Sequence, residues 1–203
     1  MKTICVAGTR SGVGKTSLVE MLLCVLKGWS AAKISAEHAH GDKPFGIVTR
    51  RSLIAEPGTD TARFLAAGAK RVFWVWTRRN ALKNAVTELL GRLRRGENLI
   101  VEGNSFARAA RPDVTILVAG VGRSIMKSSA RAILGQVDIV AVKADAGHSP
   151  AHARQAVRRW RERAGVRDVL VVRSFRKSNR VLTRCVLKHL RKTRIEANKK
   201  PGF

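Results

Sequence analysis

Apolar positions run along the chain in two alternating rhythms. Short, nearly unbroken apolar runs occupy residues 2–8, 31–36, 70–77, 98–102, 113–119, 137–142 and 168–173, with a shorter extended segment at 45–50. Runs of this length, bounded by glycine or charge, predict strands buried on both faces. Between them, apolar residues recur at helical spacing. Leu18, Leu22, Val25 and Leu26 predict a helix over 15–27 stopped by Gly28, and Leu82, Val86, Leu89, Leu90 and Leu93 predict one from Asn80 as cap to about residue 95. Thr59 is placed to cap a helix reaching 67, with Gly68 after it. Further helices are predicted over 124–134, from Ser149-Pro150 to about 163, and over 178–194 through Val181, Leu182, Cys185, Val186, Leu187 and Leu190. Trp74 and Trp76 share a side of their strand and are expected to pack.

Strands alternating with helices predict a three-layer α/β fold, a mainly parallel sheet joined by right-handed crossovers with helices on both faces. The expected organisation is one nucleotide-binding domain over residues 1–195 and a basic flexible tail at 196–203. Ligands of such sheets sit at the C-terminal ends of the strands, which sets where chemistry should be sought.

The first strand ends in Gly8-Thr9-Arg10-Ser11-Gly12-Val13-Gly14-Lys15-Thr16-Ser17. Glycines here let the backbone turn its N–H groups inward as an anion nest at a helix N-terminus. Lys15 offers a mobile cation to outer phosphates, and the Thr16 hydroxyl suits Mg²⁺. The spacing is G-x(5)-G-K-T, one residue longer than the common P-loop, because Thr9 rather than a glycine stands in the usual first slot. Gly8, Thr9 and Ser11 to Ser17 are therefore the candidate phosphate cradle, with Lys15 and Arg10 as the candidate catalytic cations. Glu102, at the tip of the 98–102 strand, is the candidate metal-side acid.

Other candidates are less specific. His38 and His40 follow the second strand, where they could bind a metal or a substrate anion, or form an ordinary polar loop. Asp60 and Arg63 occupy the first turn of a helix. Lys143-Ala144-Asp145 follows a strand in the manner of N-K-x-D guanine recognition, but Val142 stands where the asparagine would be.

Charge adds a question. The net charge is +26, and it is uneven: 8 basic against 5 acidic residues in 1–60, 11 against 4 in 61–120, and 21 against 5 in 121–203. A basic last third could meet nucleic acid or another anionic surface. Its arginines lie on amphipathic helices without interleaved aromatics, which favours solvated helix faces. Cys5, Cys24 and Cys185 are too scattered for a zinc site and read as buried thiols of a reducing compartment. The apolar run after Lys2 is too short for a signal peptide, and no stretch approaches a membrane span. The expected location is cytoplasmic.

Taken together, Gly8-Thr9, Gly14-Lys15-Thr16, His38-Ala39-His40, Asp60-Thr61-Ala62-Arg63 with Ala66-Ala67-Gly68-Ala69, and Val101-Glu102-Gly103 resemble the molybdopterin-guanine dinucleotide biosynthesis protein B family, over roughly residues 2–105. The loop is also similar to those of dethiobiotin synthetase and cobyrinic acid diamide synthase. The resemblance implies a homodimeric P-loop protein that binds and slowly hydrolyses GTP with Mg²⁺, beside the nucleotidyltransferase of molybdenum-cofactor biosynthesis. It carries Lys15 and Thr16 over as phosphate and Mg²⁺ residues and Glu102 as the metal-side acid. In related loops a signature lysine stands where Arg10 does and acts across a dimer. The chain departs from the family in its longer loop, its fewer histidines, and Asn104-Ser105-Phe106 in place of the usual lysine. Two other functions are open: an ATP-dependent ligase of the dethiobiotin or cobyrinate type, and a basic nucleic-acid-binding NTPase.

Overall fold

A computed structural model describes residues 1–36, 42–122, 125–145, 147–176 and 179–198. Among them eight strands form one sheet: β1 (Thr3–Gly8), β2 (Ser30–Ser35), β3 (Phe45–Val48), β4 (Val72–Thr77), β5 (Leu99–Glu102), β6 (Val114–Gly120), β7 (Ile139–Lys143) and β8 (Asp168–Val172). The order is β3-β4-β2-β5-β1-β6-β7-β8. Every pair is parallel except β3 with β4. The helices are α1 (Lys15–Val25), α2 (Arg51–Ile54), α3 (Asp60–Ala66), α4 (Leu82–Gly91), α5 (Asn104–Ala109), α6 (Ser128–Arg131), α7 (Pro150–Ala164) and α8 (Arg180–Asn198).

Strand periodicity divides the core into two layers. Ile4, Val6, Ile100, Ile116, Val118, Ile139 and Ala141 face α1, α3 and α8, whose Leu18, Leu22, Phe64, Leu182 and Val186 cover them. Cys5, Ala7, Val101, Leu117, Ala119, Val140 and Val142 face the other way, toward Leu82, Val86, Leu89, Phe106, Ala156 and Trp160 of α4, α5 and α7. The architecture is thus the expected three-layer α/β arrangement, a mainly parallel sheet with helices on both faces. The buried Glu97, which accepts from Ser30, Arg71 (3.0 Å) and the Arg94 N–H (2.8 Å), fastens the sheet at the end remote from the loop.

Local signals hold where they are self-contained. Thr59 caps α3 by accepting from the Ala62 N–H at 3.2 Å, and Gly68 follows in the left-handed region (φ 90°). Ser149 caps α7 with Pro150 at its first position. Trp76 is buried over Gly46 of β3. An added Cβ on Gly46 would lie 2.5 Å from the indole, so the edge strand needs glycine there. Trp74 is partly buried and donates to Ser35.

The structure also corrects several expectations. Asn80 does not cap a helix. It lies in a 3₁₀ turn, Arg79–Ala81, and α4 begins at Leu82 and ends at Gly91. The helix expected over 124–134 is only the short α6, followed by a 3₁₀ turn at Leu134–Gln136. There the chain is tethered to the loop by the Lys127 N–H, which donates to the Thr9 carbonyl at 2.9 Å, and helix begins only after that tether. Directly after Glu102-Gly103 the chain enters α5, a short helix that the periodicity did not predict. The single-turn α2 leaves no periodic signal in so short a run. Cys24 and Cys185 are half-buried rather than buried. Cys5 is buried, and burial pushes its thiol up to about 12.

Asp113, at the start of β6, accepts from the Lys2 ammonium at 2.8 Å, the Thr3 N–H at 2.8 Å and the Thr3 hydroxyl at 3.1 Å. Burial alone would raise its pKa, but the bonds from Lys2 and Thr3 outweigh it and hold the carboxyl below the ordinary range. A depressed carboxyl contributes stability above its unfolded value of about 3.9, and that contribution is lost as pH falls through the folded value. Asp113→Asn should cost about 1–2 kcal/mol in urea unfolding at pH 7. The gap from wild type should narrow toward pH 3, and an equal gap at both pH values would refute this account.

Candidate nucleotide site

The loop between β1 and α1 is held from both sides of β1. On the β6 side, the Thr9 N–H donates to the Val118 carbonyl at 3.0 Å, extending the ladder one residue beyond the strand. On the β5 side, the pairing ends at Val6 opposite Glu102. The side chain of Asn104 takes over: its Oδ1 accepts from the Gly8 N–H at 2.8 Å, and its Nδ2 donates to the Gly8 carbonyl at 3.1 Å and to Ser129 Oγ at 3.0 Å. A side-chain amide thus replaces the missing peptide of the neighbouring strand. Val13 is buried under the loop, whereas Arg10, Ser11 and Gly12 are exposed.

Gly12 (φ 67°) and Gly14 (φ 107°) take left-handed conformations that turn the backbone into the N-terminus of α1. Among the described residues, no N–H from Arg10 to Ser17 meets an acceptor. That run of unspent donors at a helix N-terminus is an anion nest. The Lys15 stem lies across Gly8. A Cβ there would be 2.8 Å from its Cγ and Cδ, which explains why glycine ends the strand. Burial, with Lys33 and Lys127 nearby, pushes the Lys15 ammonium pKa down against the opposing pull of Glu102 and Asp60.

Beside Lys15 a chain of polar groups links four elements. Thr16 Oγ1 donates to Asp60 Oδ1 at 2.8 Å. Asp60 Oδ2 pairs with Lys33 Nζ at 2.6 Å, and Lys33 also pairs with Glu102. Glu102 is buried, and its Oε2 has no partner among the described residues. Burial by itself would lower the Lys33 pKa, yet Glu102 and Asp60 together hold it above its ordinary value. Burial likewise would raise Asp60, but Lys33 and Thr16 hold it low.

Asp60 and Glu102 are hard oxygen donors that share a cation, the Lys33 ammonium, Thr16 is bonded to Asp60, and one buried oxygen of Glu102 is unused among the described residues. That set fits Mg²⁺. Of the sequence candidates, Gly8 to Ser17, Asp60 and Glu102 therefore converge. Arg63 does not join them: its guanidinium grips Glu20 of α1 through Nε (2.9 Å) and Nη2 (2.6 Å), and it donates to Ser17. Lys143 lies against Gly14, 3.6 Å from where a Cβ would stand, and pairs at 3.8 Å with the exposed Asp145. Val142, in the asparagine slot, is buried. His38 and His40 lie outside the described residues.

Sequence reasoning passed over Lys33, Asn104 and Phe175, whose ring abuts Gly14. The available signal for Lys33 was a lone lysine inside an apolar strand. Cys185, read as an isolated thiol, lies within 4.8 Å of Asp168 and His189, with an Asp168–His189 ion pair of 2.8 Å. Burial and Asp168 raise that thiol to about 11. This trio is at the N-terminal end of β8, away from the loop.

Searches found no matching family model and no matching curated protein. Solved structures similar to the chain include LpxK from Aquifex aeolicus in complex with ATP (20% identity, TM-score 0.46, covering 70% of this chain and 48% of that one). The Zn(II)-bound triple mutant of the YjiA GTPase is similar at 17% identity and TM-score 0.45, over 85% of this chain and 57% of that one. A nucleotide-binding protein from Archaeoglobus fulgidus in complex with ADP is similar at 13% identity and TM-score 0.45, over 93% and 87%. The chain spans about half the length of the first two (48% and 57%). All lie below 25% identity and a TM-score of 0.5, so the chain's own residues carry its functional reading.

Asn104→Ala removes three hydrogen bonds and strands both polar groups of Gly8. It should cost about 2 kcal/mol in denaturant unfolding, and a loss below about 0.5 kcal/mol would show that the amide does not hold the loop.

Proposed function

We propose that the chain binds a nucleoside triphosphate at residues 8–17 and hydrolyses it slowly, with GTP favoured over ATP. The observation that carries this reading is the run of N–H groups from Arg10 to Ser17 without a partner among the described residues, turned by left-handed glycines, with the Lys15 stem lying across Gly8. The loop amides and Lys15 would stabilise charge on the transferring phosphoryl group. Mg²⁺, held by Thr16, Asp60 and Glu102, would neutralise charge on the phosphate oxygens when bound. The preference for guanine rests on Lys143 and Asp145, which stand at the Gly14 end of the loop, where the base side of a nucleotide would lie. The resemblance in residues 2–105 supports an accessory role in cofactor assembly, with molybdopterin guanine dinucleotide as the pathway, a nucleotidyltransferase as partner, and a homodimer as the working state.

A second reading, an ATP-dependent ligase, has one observation in its favour: a polar cavity opens directly beside Lys15. The two readings differ in base preference. Titration of GTP, ATP and their diphosphates with Mg²⁺ into wild type and Lys15→Ala should show triphosphate affinity falling at least tenfold in the variant. Equal affinity for GTP and ATP would remove the guanine reading, and binding of neither would remove the whole proposal.

The metal assignment makes a separate prediction. Lys33→Met leaves Glu102 buried beside Asp60 without its internal cation, which should destabilise the fold by about 3 kcal/mol in the absence of divalent ions. Millimolar Mg²⁺ should restore much of that stability in the variant while barely moving wild type. A variant equally unstable with and without Mg²⁺ would show that Thr16, Asp60 and Glu102 do not form a metal site.

A further inference from the structure

A cavity of about 620 Å³ opens at the C-terminal ends of β2 and β5, on the side of Lys15 away from Lys143 and Phe175. Among the described residues six cationic side chains line it: Arg10, Lys15, Lys33, Arg79, Arg108 and Lys127. No carboxylate lines it among the described residues. Serine hydroxyls from the loop, β2, α5 and α6 complete the polar lining. The volume is that of a metabolite pocket.

The cations are not equivalent. Lys33 is neutralised by Asp60 and Glu102. Lys127 already donates to Ser11 at 2.9 Å. Lys15 belongs to the phosphate cradle. Among the described residues, Arg10 and Arg108 make no hydrogen bond or ion pair, so two guanidinium forks stand unspent in one cavity. Each fork matches the two oxygens of a carboxylate or a phosphate. A concave surface of one sign also concentrates small anions of the opposite sign. The floor is fixed, because the Asn104 amide is committed to Gly8 and Ser129.

We propose that this cavity is the binding site for a small acceptor carrying at least two negative charges, as carboxylates or a phosphate monoester, held by Arg10 and Arg108 next to the outer phosphate of the nucleotide. Its position as an acceptor site rests on the nucleotide reading above. The anion site itself rests only on the cavity and its arginines.

The test is calorimetric titration of the full chain, with and without Mg²⁺ and a non-hydrolysable β,γ-methylene triphosphate. The titrants are tricarballylate, glycerol 3-phosphate and uncharged glycerol. Wild type should bind at least one anion below 1 mM with the triphosphate present, and should not bind glycerol. The stronger titrant identifies carboxylate or phosphate as the preferred group. Arg108→Gln and Arg10→Gln should each weaken anion binding at least tenfold, while Arg161→Gln, which removes the same charge from α7, should change it less than twofold. Absence of anion binding, equal binding of glycerol, or equal weakening by Arg161→Gln would overturn the proposal. If the triphosphate does not bind but the anion titrations give the expected pattern, the nucleotide reading and the acceptor role fail and the anion site stands.

Discussion

The buried carboxylate of Glu102 is the constraint around which the site is built. An ionised group taken out of water is tolerated only with a close partner of opposite charge. The partner is Lys33, and the sheet supplies it by register: Lys33 of β2 lies directly opposite Glu102 of β5. The same ammonium reaches Asp60 in the first turn of α3, and Asp60 reaches Thr16 in the first turn of α1. One neutralisation requirement thus fixes two strands and two helices relative to one another. It also leaves one buried oxygen, Glu102 Oε2, without a hydrogen-bond partner among the described residues. Lys33 would therefore compete with any metal for these carboxylates.

The loop depends on a different economy of hydrogen bonds. Its glycines make it pliable, and a pliable loop would lose much of its preorganisation for an anion. The fold restores rigidity at the rim. Thr9 is bonded to β6, Lys127 closes on the Thr9 carbonyl, and Asn104 extends β5 by one amide. All of these bonds go to Gly8 and Thr9. Among the described residues the N–H groups beyond them meet no acceptor, so the order of the loop does not consume the groups that a phosphate would use.

Much of this was legible in the sequence, and the parts that were not share a cause. The central strands, the Thr59 and Ser149 caps, the phosphate loop and the acid at a strand tip all follow from local rules: period, cap chemistry, glycine, and the end of an apolar run. Lys33 follows no local rule. A lysine in a strand usually marks an exposed edge, and only the crossover that sets β2 beside β5 makes it internal. Asn104 is similar, because its amide acts on Gly8, far away in sequence. The helix expected over 124–134 failed because Lys127 is committed to the loop, a tertiary bond that local periodicity cannot register. Arg63 sits within one turn of Asp60, yet it turns to Glu20 because that carboxylate on α1 is the nearer partner for a fork.

The charge of the chain and the charge of the site are separate matters. The richest run of basic residues is 121–203, but among the described cations lining the cavity only Lys127 comes from it. The arginines of α7 and α8 contribute instead to a diffuse field that draws any anion toward the molecule. At physiological ionic strength such a field decays over a Debye length of about 8 Å, so it can gather anions but cannot choose among them. Choice requires forks at fixed positions over a rigid floor. Arg10 stands on the loop and Arg108 on α5, and the Asn104 amide joins those two segments. The bond that anchors the glycine loop therefore also joins the segments from which the two guanidinium groups extend.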